Sequence, residues 1–375
     1  MPRVRCRTKL GGQGASAFRA RVVGVYRRDV TPDPAPRVVA HLVDRTTGGV
    51  PVAVRSYIRT SPPAYRHVIV SPPIAGGPAP VWAGVDAAHV AWDASTPVRA
   101  LRDLRGILRR GRFDVVHAHS SFPGVYARLL RPARTRVVYT PHCFAFARTD
   151  VSFVHRSVYR VIERTLAGRT TVLAACGPGE RDEALGVGIT AHRALVVPNL
   201  PSLVDVHARP PRALRDGVLR LGMLGRWSPQ KDPAFFVDRV ASLRRALADV
   251  DVQATWIGDG SAAPGIRVTG WVEAECVRRE LDELDVYLHT AAWEGFPIAI
   301  LDADAAGLPI LARRIRALPD LPAALTLDEG AAALVAAVRE RRFAAWSAEN
   351  RRGWRAYLGH RDARSQGDAL ARAWG

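Results

Sequence analysis

Short runs of consecutive apolar residues alternate along the chain with longer segments whose apolar residues recur at helical spacing. A continuous apolar run is typical of a strand covered on both faces, as in a parallel sheet. Strands that alternate with helices predict a doubly wound sheet with its ligand site at the carboxyl ends of the strands. In the first half the predicted strands are 37–43, 66–70, 88–92, 113–118, 136–140 and 170–174, and the predicted helices are 97–110, 121–130 and 153–167, with another from about Pro51.

A second series of the same kind follows a Pro- and Arg-rich stretch at 201–217, which we interpret as a linker. A length of 375 residues exceeds what one core usually supports, so we expect two domains, 37–200 and 218–345. Residues 1–36 are predicted to be a flexible leader, and 346–375 to be helices that pack back toward the N-terminal domain. The second set of predicted strands is 219–224, 253–257, 266–269, 285–289 and 308–312, and the helices are 233–249, 273–283 and 297–306.

Positive charge is concentrated in the first half of the chain. Lys and Arg total 54 against 35 Asp and Glu, a net charge of +19, and residues 1–200 hold 30 basic and 12 acidic residues. We therefore expect the N-terminal domain to face an anionic partner. No apolar run approaches the ~20 residues of a membrane span, and no signal peptide is visible. The four cysteines lack disulfide or metal spacing, which indicates a cytoplasmic protein.

The stretch from Glu294 to Asp302 carries the clearest candidate chemistry. Pro297 suits the start of a helix because its missing N–H would have no intrahelical partner there. Glu294 then lies in a strand-to-helix turn, beside free N–H groups that can bind an anion. A carboxylate beside an anion site suits a ligand with both hydroxyls and phosphates, so the two acids could contact separate parts of one nucleotide sugar. The alternative is a helix N-terminal acid and a solvated Asp.

Two cations in another predicted strand-to-helix turn suit a diphosphate. Arg226 offers a planar fork of donors, and Lys231 offers a compact charge five residues later. The chain has only two lysines, Lys9 and Lys231, among its 54 cations. We take the retention of Lys231 as a sign that an ammonium is needed there, with chance as the alternative.

In the first half the candidates are a glycine pair and a histidine at strand ends. Gly48 and Gly49 let the backbone approach a ligand before a helix, although most such pairs are plain turns. His142 follows a strand, where it could bind a sugar hydroxyl or stabilise charge; the alternative is a loop histidine without function. We interpret His117 and His119 as structural.

Four ordered motifs of the second half resemble those of the family 4 glycosyltransferases. They are Gly225-Arg226-x4-Lys231, Gly258-Asp259-Gly260, Gly270-Trp271-Val272 and Glu294-Gly-Phe-Pro-x4-Asp302. The first half agrees more loosely, through Gly48-Gly49, 113–119, 140–142, 163–167 and 197–199. The family consists of retaining enzymes of the GT-B fold, in which two Rossmann-like domains face each other across a cleft. The resemblance therefore implies an α/β protein of this kind over about residues 37–320.

The resemblance also implies a role for each matching residue. Arg226 and Lys231 would hold the donor diphosphate, and Glu294 would contact the transferred sugar. Asp302 stands where the family has a second Glu that binds the ribose hydroxyls, and is one methylene shorter. His142 would face the sugar. Gly49, which follows Gly48, would lie near the phosphates. The remaining donor contacts would come from Gly258, from Trp271 and Val272 near the base, and from backbone N–H groups of Gly295, Phe296, Pro297 and Ile298, although Pro297 itself has no N–H.

The implied function is transfer of a sugar from a UDP- or GDP-sugar to a hydroxyl of a glycan, lipid-linked or small-molecule acceptor, with an α-glycosidic product. We expect neither a cofactor nor a metal ion, because Arg226, Lys231 and the helix N-terminus offset the charge of the leaving group. The alternatives are a catalytically silent GT-B partner protein and a nucleotide-sugar 2-epimerase. The sequence shows no nucleic-acid recognition motif.

The basic N-terminal domain predicts peripheral contact with the inner face of an anionic membrane, where a lipid-linked acceptor would wait. Arg102, Arg105 and Arg109 recur at helical spacing, and we expect the neighbouring leucines to pack on the sheet. A phosphorylated soluble acceptor would explain the same charge. The chain is expected to be a monomer or a homodimer. Four further arginines are predicted to extend the patch, namely Arg128, Arg131, Arg134 and Arg136.

Overall fold

The computed structural model describes residues 35–74, 79–131, 133–203, 208–261 and 263–375, so nearly all of the predicted leader lies outside the described residues. Within them, two parallel sheets carry the strands. The strands of the first sheet are β1 Arg37–Val43, β2 Tyr65–Ser71, β3 Ala88–Ala91, β4 Val115–His119, β5 Arg136–Thr140, β6 Val172–Ala175 and β7 Ala194–Val196. Those of the second are β8 Val218–Leu224, β9 Asp251–Ile257, β10 Ile266–Val268, β11 Val286–His289 and β12 Ile310–Ala312.

Helices cover both sheets. Several begin at a side-chain cap, as where Thr96 accepts a hydrogen bond from the Arg99 N–H before Pro97 opens a helix. The helices are α1 Gly49–Thr60, α2 Pro97–Arg110, α3 Ser121–Leu130, α4 Phe153–Leu166, α5 Pro178–Gly186, α6 Pro233–Ala246, α7 Ala274–Glu283, α8 Ile298–Ala305, α9 Glu329–Arg339, α10 Phe343–Leu358 and α11 Ala363–Trp374.

The strand order identifies both sheets as doubly wound. It is β3-β2-β1-β4-β5-β6-β7 in the first sheet and β10-β9-β8-β11-β12 in the second, and every strand pair is parallel. Each sheet therefore starts in its interior and extends both ways, which creates a crevice at the carboxyl ends of its central strands. The predicted GT-B architecture of two Rossmann-like domains is confirmed.

The last helices divide between the domains. Helix α10 stays on the C-terminal sheet, where the Trp354 indole donates to the Ile310 carbonyl and the Asn350 side chain pairs with the backbone of the same residue. Helix α11 returns to the N-terminal sheet, where Trp374 is fully buried. The Gln366 side chain on α11 accepts hydrogen bonds from Ser56 and Thr60, both on α1. The predicted boundary at residue 346 thus falls inside a helix.

The basic surface of the N-terminal domain agrees with the prediction on α2 and departs from it at Arg128. On α2 the arginines are exposed while Leu104 and Leu108 are buried, in line with their expected packing on the sheet. Arg128, predicted to extend the basic patch, is instead fully buried and paired with Glu163 at 2.7 Å. In the described part of the chain, every helix is too short or too polar to cross a membrane.

Candidate active site

The turn after β8 carries both predicted phosphate-binding cations. Gly225 lies beneath the Lys231 side chain, and a Cβ on this glycine would come within 2.9 Å of Lys231 Cε. The Trp256 indole donates to the Gly225 carbonyl at 2.8 Å and so ties the turn to β9. Among the described residues Arg226 has no carboxylate partner, and its guanidinium lies against the turn after β1. Both cations are therefore held at the carboxyl edge of the sheet.

Lys231 forms an ion pair with Glu294, which lies in the turn between β11 and α8. The Lys231 Nζ atom lies 2.5 Å from Glu294 Oε1, and Gln230 donates to Glu294 Oε2 at 3.2 Å. Behind the pair is His289, whose pKa is lowered by burial and by the nearby Lys231 charge. A neutral His289 leaves Lys231 as the cation beside the carboxylate. The site thus holds an ammonium group that can bind a phosphate next to a carboxylate that can accept hydrogen bonds from sugar hydroxyls.

Helix α8 begins at Ile298, and Pro297 is its N-cap, one residue before the helix start. The first N–H groups of a helix have no intrahelical partner and can bind an anion. Gly295 brings this turn against the N-terminal domain. A Cβ on Gly295 would lie 2.7 Å from the backbone of His142 and Cys143, so a larger residue would push the two domains apart.

The turn after β1 closes the other side of the cleft. Gly48 has a φ of 88°, and its missing Cβ would lie 3.7 Å from Arg226 Nη2. The missing Cβ of Gly49 would lie 3.9 Å from Ile298 Cδ1. The glycine pair of one domain therefore meets the cation and the helix N-terminus of the other. Its conformation also explains why α1 begins at Gly49, two residues before the predicted start at Pro51.

His142 lies at the predicted strand end, but its ring is already engaged. Its Nε2 atom is 3.0 Å from His119 Nδ1, and its Nδ1 atom is 3.2 Å from Cys176 Sγ. Burial lowers the pKa of His142 to about 3, so the imidazole is neutral near pH 7. A neutral ring could stabilise charge only as a dipole, and its contact with a sugar hydroxyl stays a prediction. The backbone of His142 has a φ of 51°, a left-handed conformation that is uncommon for residues other than glycine.

A row of buried histidines continues behind His142. His119 contacts His41 at 3.1 Å, and His41 contacts His67 at 3.1 Å. His117 receives a hydrogen bond from the Trp374 indole and contacts Thr140 at 2.8 Å. His41, His117 and His119 place nitrogens within 4.8 Å of one another, as in a metal site. All their ring nitrogens have hydrogen-bond partners within the protein, and these contacts link β1 with its neighbours β2 and β4. The cluster serves to join strands.

Sequence reasoning missed Glu180 in the first turn of α5. Its two carboxylate oxygens accept hydrogen bonds from the N–H groups of Cys143 at 2.6 Å and Cys176 at 2.7 Å. Burial raises the pKa of Glu180 to about 7. This carboxyl group holds the loop that carries His142 in its positive-φ conformation. The sequence does hold a signal that could have identified Glu180: a proline that can open a helix, Pro178, is followed two residues later by an acid.

Asp302 does not have the surroundings that its predicted role requires. Its Oδ1 atom accepts from the N–H groups of Ser202 at 2.6 Å and Leu203 at 3.2 Å, and its Oδ2 atom accepts from the Ser202 hydroxyl at 2.7 Å. The side chain is buried, which raises its pKa to about 6. The predicted ribose contact is therefore corrected: Asp302 anchors the segment that crosses between the domains.

The predicted base-binding residues line the neighbouring turns of the second sheet. Gly258 follows β9, and a Cβ there would come within 2.2 Å of the Gly225 carbonyl, so these two turns pack closely. Trp271 follows β10 and is 67% exposed, while Val272 is half-buried against the core. Apart from Asp302, the predicted residues thus lie in turns at the facing edges of the two sheets.

Comparison with known proteins agrees with this arrangement. A family described as "Glycosyl transferase 4-like domain" matches residues 48–200, and one described as "Glycosyl transferases group 1" matches residues 218–345. Among solved structures, Anabaena Alr3699/HepE in complex with UDP and glucose has a TM-score of 0.67 at 14% identity, covering 89% of this chain and 98% of that chain. Sucrose-phosphate synthase from Thermosynechococcus elongatus has a TM-score of 0.68 at 13% identity, covering 90% and 98%.

Curated relatives are more similar in sequence. An uncharacterized 41.2 kDa protein in the cps region of Klebsiella pneumoniae is 29% identical, over 57% of this chain and 64% of its own length. The UDP-Gal:alpha-D-GlcNAc-diphosphoundecaprenol alpha-1,3-galactosyltransferase of Escherichia coli is 26% identical, over 58% and 62%. The matches thus span less than two thirds of these relatives. With both domain matches and the GT-B architecture in place, the chain belongs to the family 4 glycosyltransferases.

Proposed function

We propose that the protein is a retaining glycosyltransferase that moves a sugar from a nucleoside-diphosphate sugar, preferably a UDP-sugar, to an acceptor hydroxyl with an α-glycosidic product. The observation that carries the proposal is the pairing of Lys231 with Glu294 beside the N-terminus of α8, opposite Gly48 and Gly49. UDP and UDP-glucose are bound by the structural neighbour HepE, which supports the choice of nucleotide.

The chemistry follows from the charges in the cleft. As the bond between the anomeric carbon and the diphosphate oxygen breaks, negative charge grows on the departing nucleotide. Arg226, Lys231 and the N–H groups of α8 offset that charge without having to reorganise. The acceptor hydroxyl attacks on the face that the diphosphate leaves, and its proton passes to the departing phosphate oxygen. Glu294 holds hydroxyls of the transferred sugar during the exchange.

The acceptor is proposed to be lipid-linked and to be met at an anionic membrane surface. Helix α4 supports this, because its outward face is apolar: Phe153 is 75% exposed and Val154 68% exposed, and Val158 and Val161 continue the same stripe. Arg160 and Arg164 are exposed on α4 as well. The exposed Phe122 and Leu129 lie on the adjacent α3. The Escherichia coli relative is named for an acceptor linked to diphosphoundecaprenol, which agrees with such a site.

A thermal-shift panel with UDP, GDP and ADP, each alone and as a sugar conjugate, tests the donor. We expect the UDP series to raise the melting temperature most. A transfer assay with the stabilising donor then follows release of nucleoside diphosphate. Donor binding without either transfer or donor hydrolysis would favour the catalytically silent alternative, for which the occupied carboxylate of Asp302 is the supporting observation. Absence of binding by every nucleotide would contradict the proposed function.

A further inference from the structure

A cavity adjoins Glu294 at the carboxyl edge of the second sheet. It has a volume of about 440 Å³ and lies between the loop after β12, at 313–321, and residues of the N-terminal domain. Its wall includes side chains from both domains, among them Thr149, Glu183, Trp293, Glu294, Arg314 and Arg316.

The order of strands relates this cavity to the donor. In the second sheet β8 lies next to β11, and β12 follows at the edge. The turn after β8 carries the cations proposed to bind the diphosphate, and the turn after β11 carries Glu294, proposed to bind the transferred sugar. The loop after β12 is therefore the next loop along this edge of the sheet, on the far side of Glu294 from the diphosphate. On the proposed function, the group that occupies this cavity is the acceptor, because it touches the sugar-binding carboxylate from the side opposite the nucleotide.

Acidic and basic groups are separated within the cavity. Glu183 and Glu294 have side chains only 11% exposed and line its inner part, whereas Arg314 and Arg316 are 51% and 68% exposed and stand at its rim. Carboxylates accept hydrogen bonds from hydroxyls, and guanidinium groups bind phosphate through two parallel hydrogen bonds. The separation therefore suits a ligand whose hydroxyls point inward and whose phosphate points outward.

The rim arginines are available for such a ligand. Arg316 lies 3.5 Å from Glu183 across the cleft, and Arg314 lies 3.8 Å from Glu329, so both ion pairs are long and partly exposed. A pair whose two partners are both exposed, as Arg314 and Glu329 are, contributes little and can be exchanged for a phosphate, and the Arg316 guanidinium is itself 68% exposed. A hydrogen bond from Arg314 Nη1 to the Leu321 carbonyl at 2.8 Å keeps that guanidinium at the rim.

We propose that this cavity binds the acceptor as a glycosyl phosphate or diphosphate, with the acceptor sugar against Glu183 and Glu294 and its phosphate on Arg314 and Arg316. The inference rests on the proposed function and adds the chemical class of the acceptor and the residues that select it. A phosphate on a membrane lipid and a phosphate on a soluble sugar share this chemistry.

Calorimetric titration of the UDP-saturated full chain with inorganic pyrophosphate, at matched ionic strength, tests the phosphate contact. The variant is the double substitution Arg314→Gln, Arg316→Gln, and the control is Arg245→Gln at the far end of α6. We expect pyrophosphate to bind the wild type and the control equally, and the double variant at least tenfold more weakly, with unchanged UDP affinity. Equal binding by the double variant, or no binding by the wild type, would overturn the proposal.

Two further ligands distinguish the sources of the phosphate. Glucose 1-phosphate represents a soluble acceptor, and its undecyl phosphodiester in mixed micelles represents a lipid-linked one. If the double variant binds both ligands more weakly than the wild type does, the arginine contact is supported. If the wild type binds the undecyl phosphodiester more tightly than glucose 1-phosphate, the phosphate belongs to a membrane lipid. If the wild type does not bind UDP, the proposed function is contradicted. If the wild type binds UDP but the double variant binds phosphate as tightly as the wild type, only the assignment of this cavity is contradicted.

Discussion

Lys231 and Glu294, 63 residues apart in the sequence, form a 2.5 Å ion pair that joins the turn after β8 to the turn before α8. The cation of the phosphate site and the carboxylate of the sugar site thus act as one unit. Either residue without the other would be left with a poorly matched charge in a half-buried position. We therefore expect their substitutions to be non-additive.

Lys231→Met should lower kcat/KM for transfer by about 10²–10³-fold, because a preorganised charge beside the leaving diphosphate is lost. Glu294→Gln should lower it to a similar extent, and the double variant should lose little more. Steady-state kinetics with the donor chosen by thermal shift measures each effect. Lys9→Met is the matched control, since Lys9 is the only other lysine. Wild-type turnover by either single variant would refute the site assignment.

Asp302→Asn should destabilise the fold and leave donor binding nearly unchanged. An amide cannot accept at both positions, so a donor from Ser202 or Leu203 loses its partner, at a cost of about 1–3 kcal/mol. Chemical denaturation measures the loss, and titration with UDP should give an affinity within about threefold of the wild type, since both oxygens of Asp302 are bonded to the segment at 202–203. The neighbouring Asp304→Asn serves as control. A large loss of UDP affinity at unchanged stability would restore the ribose contact.

The free energy of unfolding should fall as pH rises from about 4.5 to 7, through the titration of Glu180. Its pKa in the folded protein is raised to about 7 from an ordinary value of 4.5, so over this range the folded state binds more protons than the unfolded state. Denaturation at several pH values should show a shallower decline for Glu180→Gln than for the wild type. Parallel pH profiles would show that Glu180 does not titrate in this range.

Glu163→Ala should destabilise the protein by about 3–5 kcal/mol, because Arg128 would be left as an unpaired buried charge. The pair is 2.7 Å long, and Glu163 also accepts from the Tyr139 hydroxyl at 3.0 Å. Urea denaturation should separate this variant from Asp150→Ala, which breaks the partly exposed pair with Arg148. Equal, small effects of both substitutions would contradict the buried role of Arg128.

Vesicle binding should depend on the apolar face of α4. Val158→Glu and Val161→Glu should weaken co-sedimentation with anionic vesicles, because each places a negative charge on an exposed apolar stripe beside arginines. Ile74→Glu, at another exposed apolar position, is the control. Wild-type binding should fall with added salt. Equal recovery of wild type in the supernatant with neutral and anionic vesicles would reject membrane docking.

The sequence by itself determined the alternation of strands and helices and the turns that carry the chemistry, although β7, α5 and α9 had no predicted counterpart. Strand 136–140 and helices 97–110 and 121–130 have the predicted bounds, because continuous apolar runs and capped helical periodicity are local signals. Helix α6 ends at Ala246, three residues before the predicted end, since periodicity specifies a helix end less sharply than its start. The motifs around Arg226, Lys231 and Glu294 could be found because each lies within a few residues of chain.

Only the tertiary structure decided what each polar side chain contacts. The motif predicts a ligand contact for Asp302 and the basic patch predicts a surface position for Arg128, yet both are buried against residues distant in sequence. The contact of Glu180 with Cys143 and the ring contacts of His142 could not be predicted, because their partners lie 23 to 37 residues away and such pairs leave no periodic pattern in the sequence. Burial and partner choice depend on how elements pack, and packing is a property of the folded chain.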